Sequence, residues 1–111
     1  MNVWALDKDP TLKHVLLLLQ DHLGEAEFII ENSADTHATA VFLHHRSEPE
    51  SRAYLYTLGQ VAGRYGLHLE YPEAMTNMNL IDAYENLPLR SLVDILAVHF
   101  DIHEIRQLSR L

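Results

Sequence analysis

The spacing of His99, Asp101 and His103 is the pattern in this sequence that comes nearest to a set of metal ligands. In an extended segment the three side chains would project from one face, and imidazole with carboxylate suits zinc, nickel or iron. Helical apolar patterns flank the segment on both sides, however, and Asp101 is a favourable N-cap residue. We therefore predict a joint between two helices here, and no metal or other cofactor.

A second group of titratable residues is predicted to share one face of a sheet. His44 and His45 end a predicted strand, where neighbouring side chains point to opposite faces, so only one of them can meet His68 and nearby carboxylates. Acid–base catalysis would also need a pocket and a contact to substrate. We therefore predict a solvated polar face rather than an active site. Its candidate residues are Glu27, Glu31, His44, His68 and Glu70.

The residue types exclude several kinds of chemistry. Cysteine is absent, which removes disulfides, thiolate nucleophiles and cysteine-ligated metals. The sequence contains no glycine-rich phosphate loop, no G-x-S-x-G elbow and no H-E-x-x-H motif. We predict that the chain is not an enzyme.

The net charge of the chain indicates which classes of partner it can bind. The chain carries 8 Lys and Arg against 16 Asp and Glu, a formal charge of −8 at pH 7. Because carboxylates repel phosphate backbones, we predict no direct binding to nucleic acid. The first residues lack the features of a signal peptide, and the longest aliphatic run, residues 15–19, is too short to span a bilayer. We predict a cytoplasmic protein with no membrane contact; its eight histidines leave pH sensing open as an alternative.

Local patterns predict six elements in residues 1–73. A strand is expected at residues 3–6, and a helix follows, with Asp9 as its N-cap, Pro10 in its first turn and Gly24 at its end. Alternating residues 25–31 and the β-branched and aromatic residues 39–44 predict a hairpin. A capping box of Ser47 and Glu50 predicts a second helix over residues 47–65, and residues 67–71 alternate again as a strand.

The resulting order, β-α-β-β-α-β, is that of the ferredoxin-like unit, with two helices on one face of a four-stranded antiparallel sheet. We predict a single α+β domain, residues 1–111, made of this core in residues 1–73 and a C-terminal helical extension in residues 74–111. The extension contains a short helix at residues 76–86, a second helix with a strong apolar stripe, and a last helix capped by Asp101. One sheet face would be left bare, so the extension or a second copy of the chain must cover it.

Several apolar and small residues are candidates for an interface. Leu17 and Leu18 point away from the buried stripe of the first helix, and Gly59 and Gly63 would allow close approach of another backbone to the second helix. Aromatic residues of the first and third strands could also contact a partner. The candidate interface residues are Leu17, Leu18, Trp4, Phe42, Gly59 and Gly63.

The leading functional hypothesis is a non-catalytic regulatory module that self-associates, as a homodimer, and binds a partner protein. A first alternative is a small-molecule-sensing regulatory domain, because amino-acid-sensing domains of the ACT type share the predicted element order. A second alternative is an acidic inhibitor of a nucleic-acid-binding protein, with carboxylates in the place of phosphates. The carboxylates of that alternative are Glu25, Glu27, Glu31 and Glu70.

Overall fold

The computed structural model describes residues 2–32, 37–72 and 81–106. These residues form an α+β fold in which a five-stranded antiparallel open sheet is combined with two helices. The α+β class is therefore as predicted. The elements are α1 (Pro10–Leu23), β1 (Phe28–Ile30), β2 (Ala40–His45), β3 (Arg52–Tyr56), β4 (Tyr65–Glu70), β5 (Ile81–Leu87) and α2 (Leu89–His99).

Helix α1 forms as its sequence predicts. The Asp9 side chain accepts a hydrogen bond from the backbone N–H of Thr11 at 3.2 Å, and Pro10 occupies the first turn, where its missing N–H costs nothing. Gly24 ends the helix with φ +100°, a conformation that favours glycine. The buried stripe is the predicted one: Leu12, Val15, Leu16, Leu19 and Leu23.

The sheet is a meander in which every strand pairs with its neighbour in sequence, in the order β1-β2-β3-β4-β5. The predicted hairpin of residues 25–31 and 39–44 corresponds to β1 and β2, in which Ile30 lies opposite Leu43. Its first strand is shorter than expected because Glu25–Glu27 form a 3₁₀ turn. Residues 33–36 of the connection lie outside the described residues.

The predicted helix over residues 47–65 is wrong. This segment contains β3, a turn and the first residue of β4. Residues 52–56 alternate between half-buried and buried positions, which is the period of a strand, and Gly59 and Gly63 have φ values of +77° and +78° that a helix does not contain. A short apolar pattern fits both periods, and pairing with β2 and β4 selects the strand.

Three further predicted elements differ from the structure. Val3–Ala5 form a 3₁₀ turn rather than a strand. The predicted helix at residues 76–86 falls partly outside the described residues, and its described part belongs to β5, which pairs with β4. No helix follows α2 within residues 101–106, where Asp101 has φ +58° and Ile102 donates a backbone hydrogen bond to the Ala97 carbonyl. The described elements therefore do not follow the ferredoxin-like order, and the predicted extension contributes a strand to the sheet.

The hydrophobic core lies between the two helices and one face of the sheet. Alternate strand residues are buried, and α1 and α2 pack against each other above them. The strong apolar stripe predicted for the second helix of the extension forms the buried side of α2 and continues into fully buried Phe100. Arg46 closes the end of α2 by donating hydrogen bonds to the carbonyls of Phe100 and Asp101, at 2.7 Å and 3.0 Å. Because both helices pack on one face of the sheet, the other face has no helix of the described chain over it.

Candidate functional site

The candidate site is the sheet face opposite the two helices, which we call the open face. Side chains alternate between the two faces of the sheet along each strand. Leu43, Ala53 and Leu67 point into the core, so the residues next to them in sequence point to the open face. None of the described helices lies over these side chains. The open face consists of Ile29, Glu31, Phe42, His44, Arg52, Tyr54, Tyr56, Gly66, His68, Glu70, Ala83 and Glu85.

Four rings on β2, β3 and β4 form an aromatic cluster at the centre of the open face: Phe42, Tyr54, Tyr56 and His68. Tyr54 is its middle, with ring centroids 5.0 Å from Phe42, 5.7 Å from Tyr56 and 6.0 Å from His68. Tyr56 and His68 meet edge to face at 5.2 Å. Cross-strand aromatic pairs of this kind stabilise the sheet, and the half-buried rings still present surface to solvent.

Gly66 makes room for one of these rings. It lies directly across the strand pair from Tyr56, and a Cβ atom added to it would come within 2.6 Å of three carbons of the Tyr56 ring. The ring therefore lies flat over the glycine. A side chain at this position would force it away from the sheet.

A chain of polar contacts runs across the outer part of the cluster. The Tyr56 hydroxyl donates a hydrogen bond to Oε2 of Glu85 at 3.2 Å and lies 3.4 Å from Nε2 of His68. Because the hydroxyl has one proton, the His68 nitrogen must donate for both contacts to be hydrogen bonds. Burial, followed by the hydrogen bond and charge of Glu85, raises the pKa of Tyr56, so its hydroxyl stays protonated at neutral pH.

Arg52 occupies the opposite side of the cluster. Its Cζ lies 4.0 Å from the centroid of the Phe42 ring, and its Nε donates to Oε1 of Glu70 at 2.6 Å. The guanidinium is thus held by a ring below it and a carboxylate beside it. Planar, delocalised cations are suited to this combination.

His44 connects the open face to the turn between β2 and β3. Its Nε2 lies 2.7 Å from Oε1 of Glu31, and its Nδ1 lies 2.9 Å from the Pro49 carbonyl oxygen. Neighbouring His45 points into the core, where its Nδ1 accepts hydrogen bonds from the N–H groups of the next turn. The predicted division of this histidine pair between the two faces is therefore found.

The structure brings together four of the five residues predicted for a polar sheet face. Glu31, His44, His68 and Glu70 share the open face, although they form separate pairs rather than one cluster. Glu27 lies apart in the 3₁₀ turn before β1, with its Oε1 3.8 Å from Arg46 Nη1.

The predicted interface residues are dispersed. Phe42 is in the aromatic cluster, whereas Trp4 is 58% exposed on the first 3₁₀ turn. Leu17 packs against the core, and Leu18 is half-buried beside it. The helical contact expected for Gly59 and Gly63 is wrong, because both lie in the turn between β3 and β4.

Sequence reasoning missed Arg52, Tyr54, Tyr56 and Glu85 as residues of the site. All four lie in segments whose patterns predict helices, and a helix would have separated them. The alternation of residues 52–56 with aromatic residues two apart is the signal that would have placed them on one face.

The segment around His99 does not assemble metal ligands. Nε2 of His99 donates to the Arg52 carbonyl at 3.0 Å, and burial lowers the pKa of this ring. His103 and Asp101 are exposed and 3.4 Å apart. Within the described residues, no three metal-ligating side chains come together.

A separate cleft of about 440 Å³ lies beside α2, at the far end of β4 and β5. One wall contains Ile95 and Val98, and the facing wall contains Leu69, Tyr71 and Tyr84. The cleft is mostly apolar, and no ring of the aromatic cluster lines it.

Two further findings bear on the kind of protein this is. Neither helix in the described part has the length and hydropathy needed to cross a bilayer. Comparison with protein-family models, with curated proteins and with solved structures found no match for this chain.

Proposed function

We propose that this chain is a non-catalytic, cytoplasmic interaction module that binds another protein chain on its open face. The observation that supports this proposal is the aromatic cluster, which has no helix of the described chain over it. Protein interfaces are enriched in tyrosine, phenylalanine and arginine, and all three types stand at the centre of this face. The bound chain is a partner protein or a second copy, as in a homodimer.

The polar groups of the open face favour binding over catalysis. Glu31 pairs with His44, Arg52 with Glu70, and Tyr56 with Glu85, so each group already has a partner in the chain. A general acid or base needs to reach a substrate within an enclosed site, whereas His44, Arg52 and Glu70 line a cleft that is open to solvent. They are suited to orienting a partner.

Site-specific photocrosslinking tests this proposal. The photoreactive residue p-benzoylphenylalanine replaces Tyr54 at the centre of the face, or exposed Asp21 on α1 as the matched control, in the cells that produce the protein. We expect a crosslinked species from position 54 and a much weaker one from position 21. Its mass separates a second copy from a different protein. Equal crosslinking from the two positions, or none from position 54, contradicts the proposal.

A small-molecule-sensing role is the second candidate function, and the cleft beside α2 favours it. The described elements do not have the order of ACT-type domains, so this candidate function is supported by the cleft and not by element order. A ligand present at 100 times its dissociation constant stabilises the folded chain by about 2.7 kcal/mol. A thermal-shift screen with amino acids, nucleotides and other metabolites is the test. Val98→Asp should abolish any stabilisation that arises in the cleft, and a hit that survives this change argues against it.

A further inference from the structure

We infer that the open face binds an arginine-bearing basic segment of a partner protein, with a guanidinium seated over the tyrosines of the aromatic cluster and beside Glu85. This inference rests on the proposed docking function and specifies the chemistry of the occupant. The chain supplies the precedent for this mode of binding, since Arg52 is held in the same manner on the same face.

The Arg52 site shows what the face provides to a guanidinium. A ring lies below the cation at 4.0 Å, and a carboxylate binds it from the side at 2.6 Å. The ring face attracts the delocalised charge, and the N–H groups at the edge of the plane remain free to donate. A ring with a carboxylate beside it therefore holds the guanidinium of Arg52, which strand β3 brings to this surface.

The other side of the aromatic cluster repeats this combination without an arginine. Tyr54 and Tyr56 supply the rings, and Glu85 supplies the carboxylate. Oε2 of Glu85 accepts a hydrogen bond from the Tyr56 hydroxyl, which increases the electron density of that ring and leaves Oε1 for an incoming donor. Glu85 is exposed, so a cation from solution can reach it.

Charge favours a basic partner over a second copy. The open face contains the carboxylates Glu31, Glu70 and Glu85 against the single guanidinium of Arg52, and the whole chain has a formal charge of −8. Two such faces repel each other, whereas a basic segment is attracted from a distance and oriented on approach. A nucleic acid would meet the same repulsion as a second copy.

Fluorescence anisotropy with defined peptides tests this inference. The probe is a fluorescein-labelled peptide containing six arginines separated by glycine and serine, and the matched probes contain lysine or uncharged citrulline at the same positions. We expect the arginine peptide to bind several times more tightly than the lysine peptide, because lysine lacks the planar group. The citrulline peptide is expected not to bind. Equal affinity for arginine and lysine overturns the inference.

Variants locate the binding on the face. Tyr54→Leu is expected to weaken binding about two- to five-fold, the size of an exposed cation–π contact, while Tyr54→Phe keeps the ring and the affinity. Glu85→Gln should weaken binding by a similar factor. Asp21→Asn removes the same charge from α1 and should change the affinity by less than about two-fold. An equal loss in Asp21→Asn would reveal general attraction to an acidic protein and overturn the inference.

The experiments distinguish a failure of this inference from a failure of the docking proposal. If photocrosslinking succeeds from position 54 and the arginine peptide does not bind, the docking function stands and the arginine chemistry is wrong. Light scattering tests whether a second copy occupies the open face instead. If the protein is a dimer that Tyr54→Leu converts to a monomer, a second copy binds there and the inference of a basic segment is wrong. Circular dichroism of each variant checks that it is folded.

Discussion

Gly66→Ala should destabilise the protein by displacing a ring on the neighbouring strand. The new Cβ would lie within 2.6 Å of three carbons of Tyr56, so the ring has to swing away from the sheet. The displaced ring loses its hydrogen bond to Glu85 and its edge-to-face contact with His68. The two lost contacts lower the free energy of unfolding by about 1–3 kcal/mol. Alanine also reduces the conformational entropy of the unfolded chain, which offsets about 0.4–1 kcal/mol of this loss.

The net expectation is a decrease of about 0.5–2 kcal/mol in the free energy of unfolding, measured by urea unfolding with far-ultraviolet circular dichroism. A mutant cycle with Tyr56→Ala identifies the cause. Once the ring is absent, Gly66→Ala should be neutral or stabilising by up to about 1 kcal/mol. If the substitution destabilises the Tyr56→Ala protein as much as the wild type, the steric argument is refuted.

Gly63→Ala is the control for this cycle. Gly63 has φ +78° and no heavy atom within 4 Å of an added Cβ, so alanine costs about 1 kcal/mol through backbone strain alone. Since no ring is displaced, this cost should be the same with and without Tyr56.

Three further predictions concern the core, a helix end and pH. Leu16→Ala removes a fully buried side chain and should cost about 2–5 kcal/mol in urea unfolding, and half-buried Leu18→Ala clearly less; equal costs would contradict the assigned helix face. Arg46→Ala loses two hydrogen bonds to the end of α2, an expected cost of about 1–3 kcal/mol by the same assay, of which Arg46→Lys should recover only part. Burial lowers the pKa of His99 below 6.5, so the folded protein favours the neutral ring. The contribution of this ring to the free energy of unfolding is therefore fully present above pH 6.5, and it falls as the pH drops towards the pKa of the folded state. His99→Gln should flatten the decline in unfolding free energy measured from about pH 7 to pH 5, and an unchanged slope would exclude His99 as its source.

Local signals in the sequence were sufficient for α1, α2 and the first hairpin. Asp9, Pro10 and Gly24 mark the ends of α1 through backbone chemistry that needs no tertiary contact. The division of His44 and His45 between two faces follows from strand geometry in the same way. These features were predictable because each depends on residues close together in the chain.

The segment from residue 47 to residue 65 was not predictable by this route. Ser47 and Glu50 match a capping box, yet they lie in the turn between β2 and β3, where backbone N–H groups bond to His45. Tyr54 and Tyr65 match a helical spacing, yet pairing with neighbouring strands places Tyr54 on the open face and buries Tyr65. Local patterns in this segment favoured a helix, whereas pairing with β2 and β4 selects the strand, so the central residues of the site were not predicted to share one face.

The meander has a consequence for how the chain is made. Paired strands are neighbours in the sequence, so each pair can form as soon as its two strands have been synthesised. The two helices that cover the sheet, however, lie on either side of the strands in the sequence. Helix α1 is synthesised before the strands, and α2, which packs beside α1, is synthesised after β5. Until then the nascent sheet exposes apolar residues to the cell, and the chain at this stage is prone to aggregate or to recruit a chaperone. Packing of α2 against α1 and the sheet covers these residues.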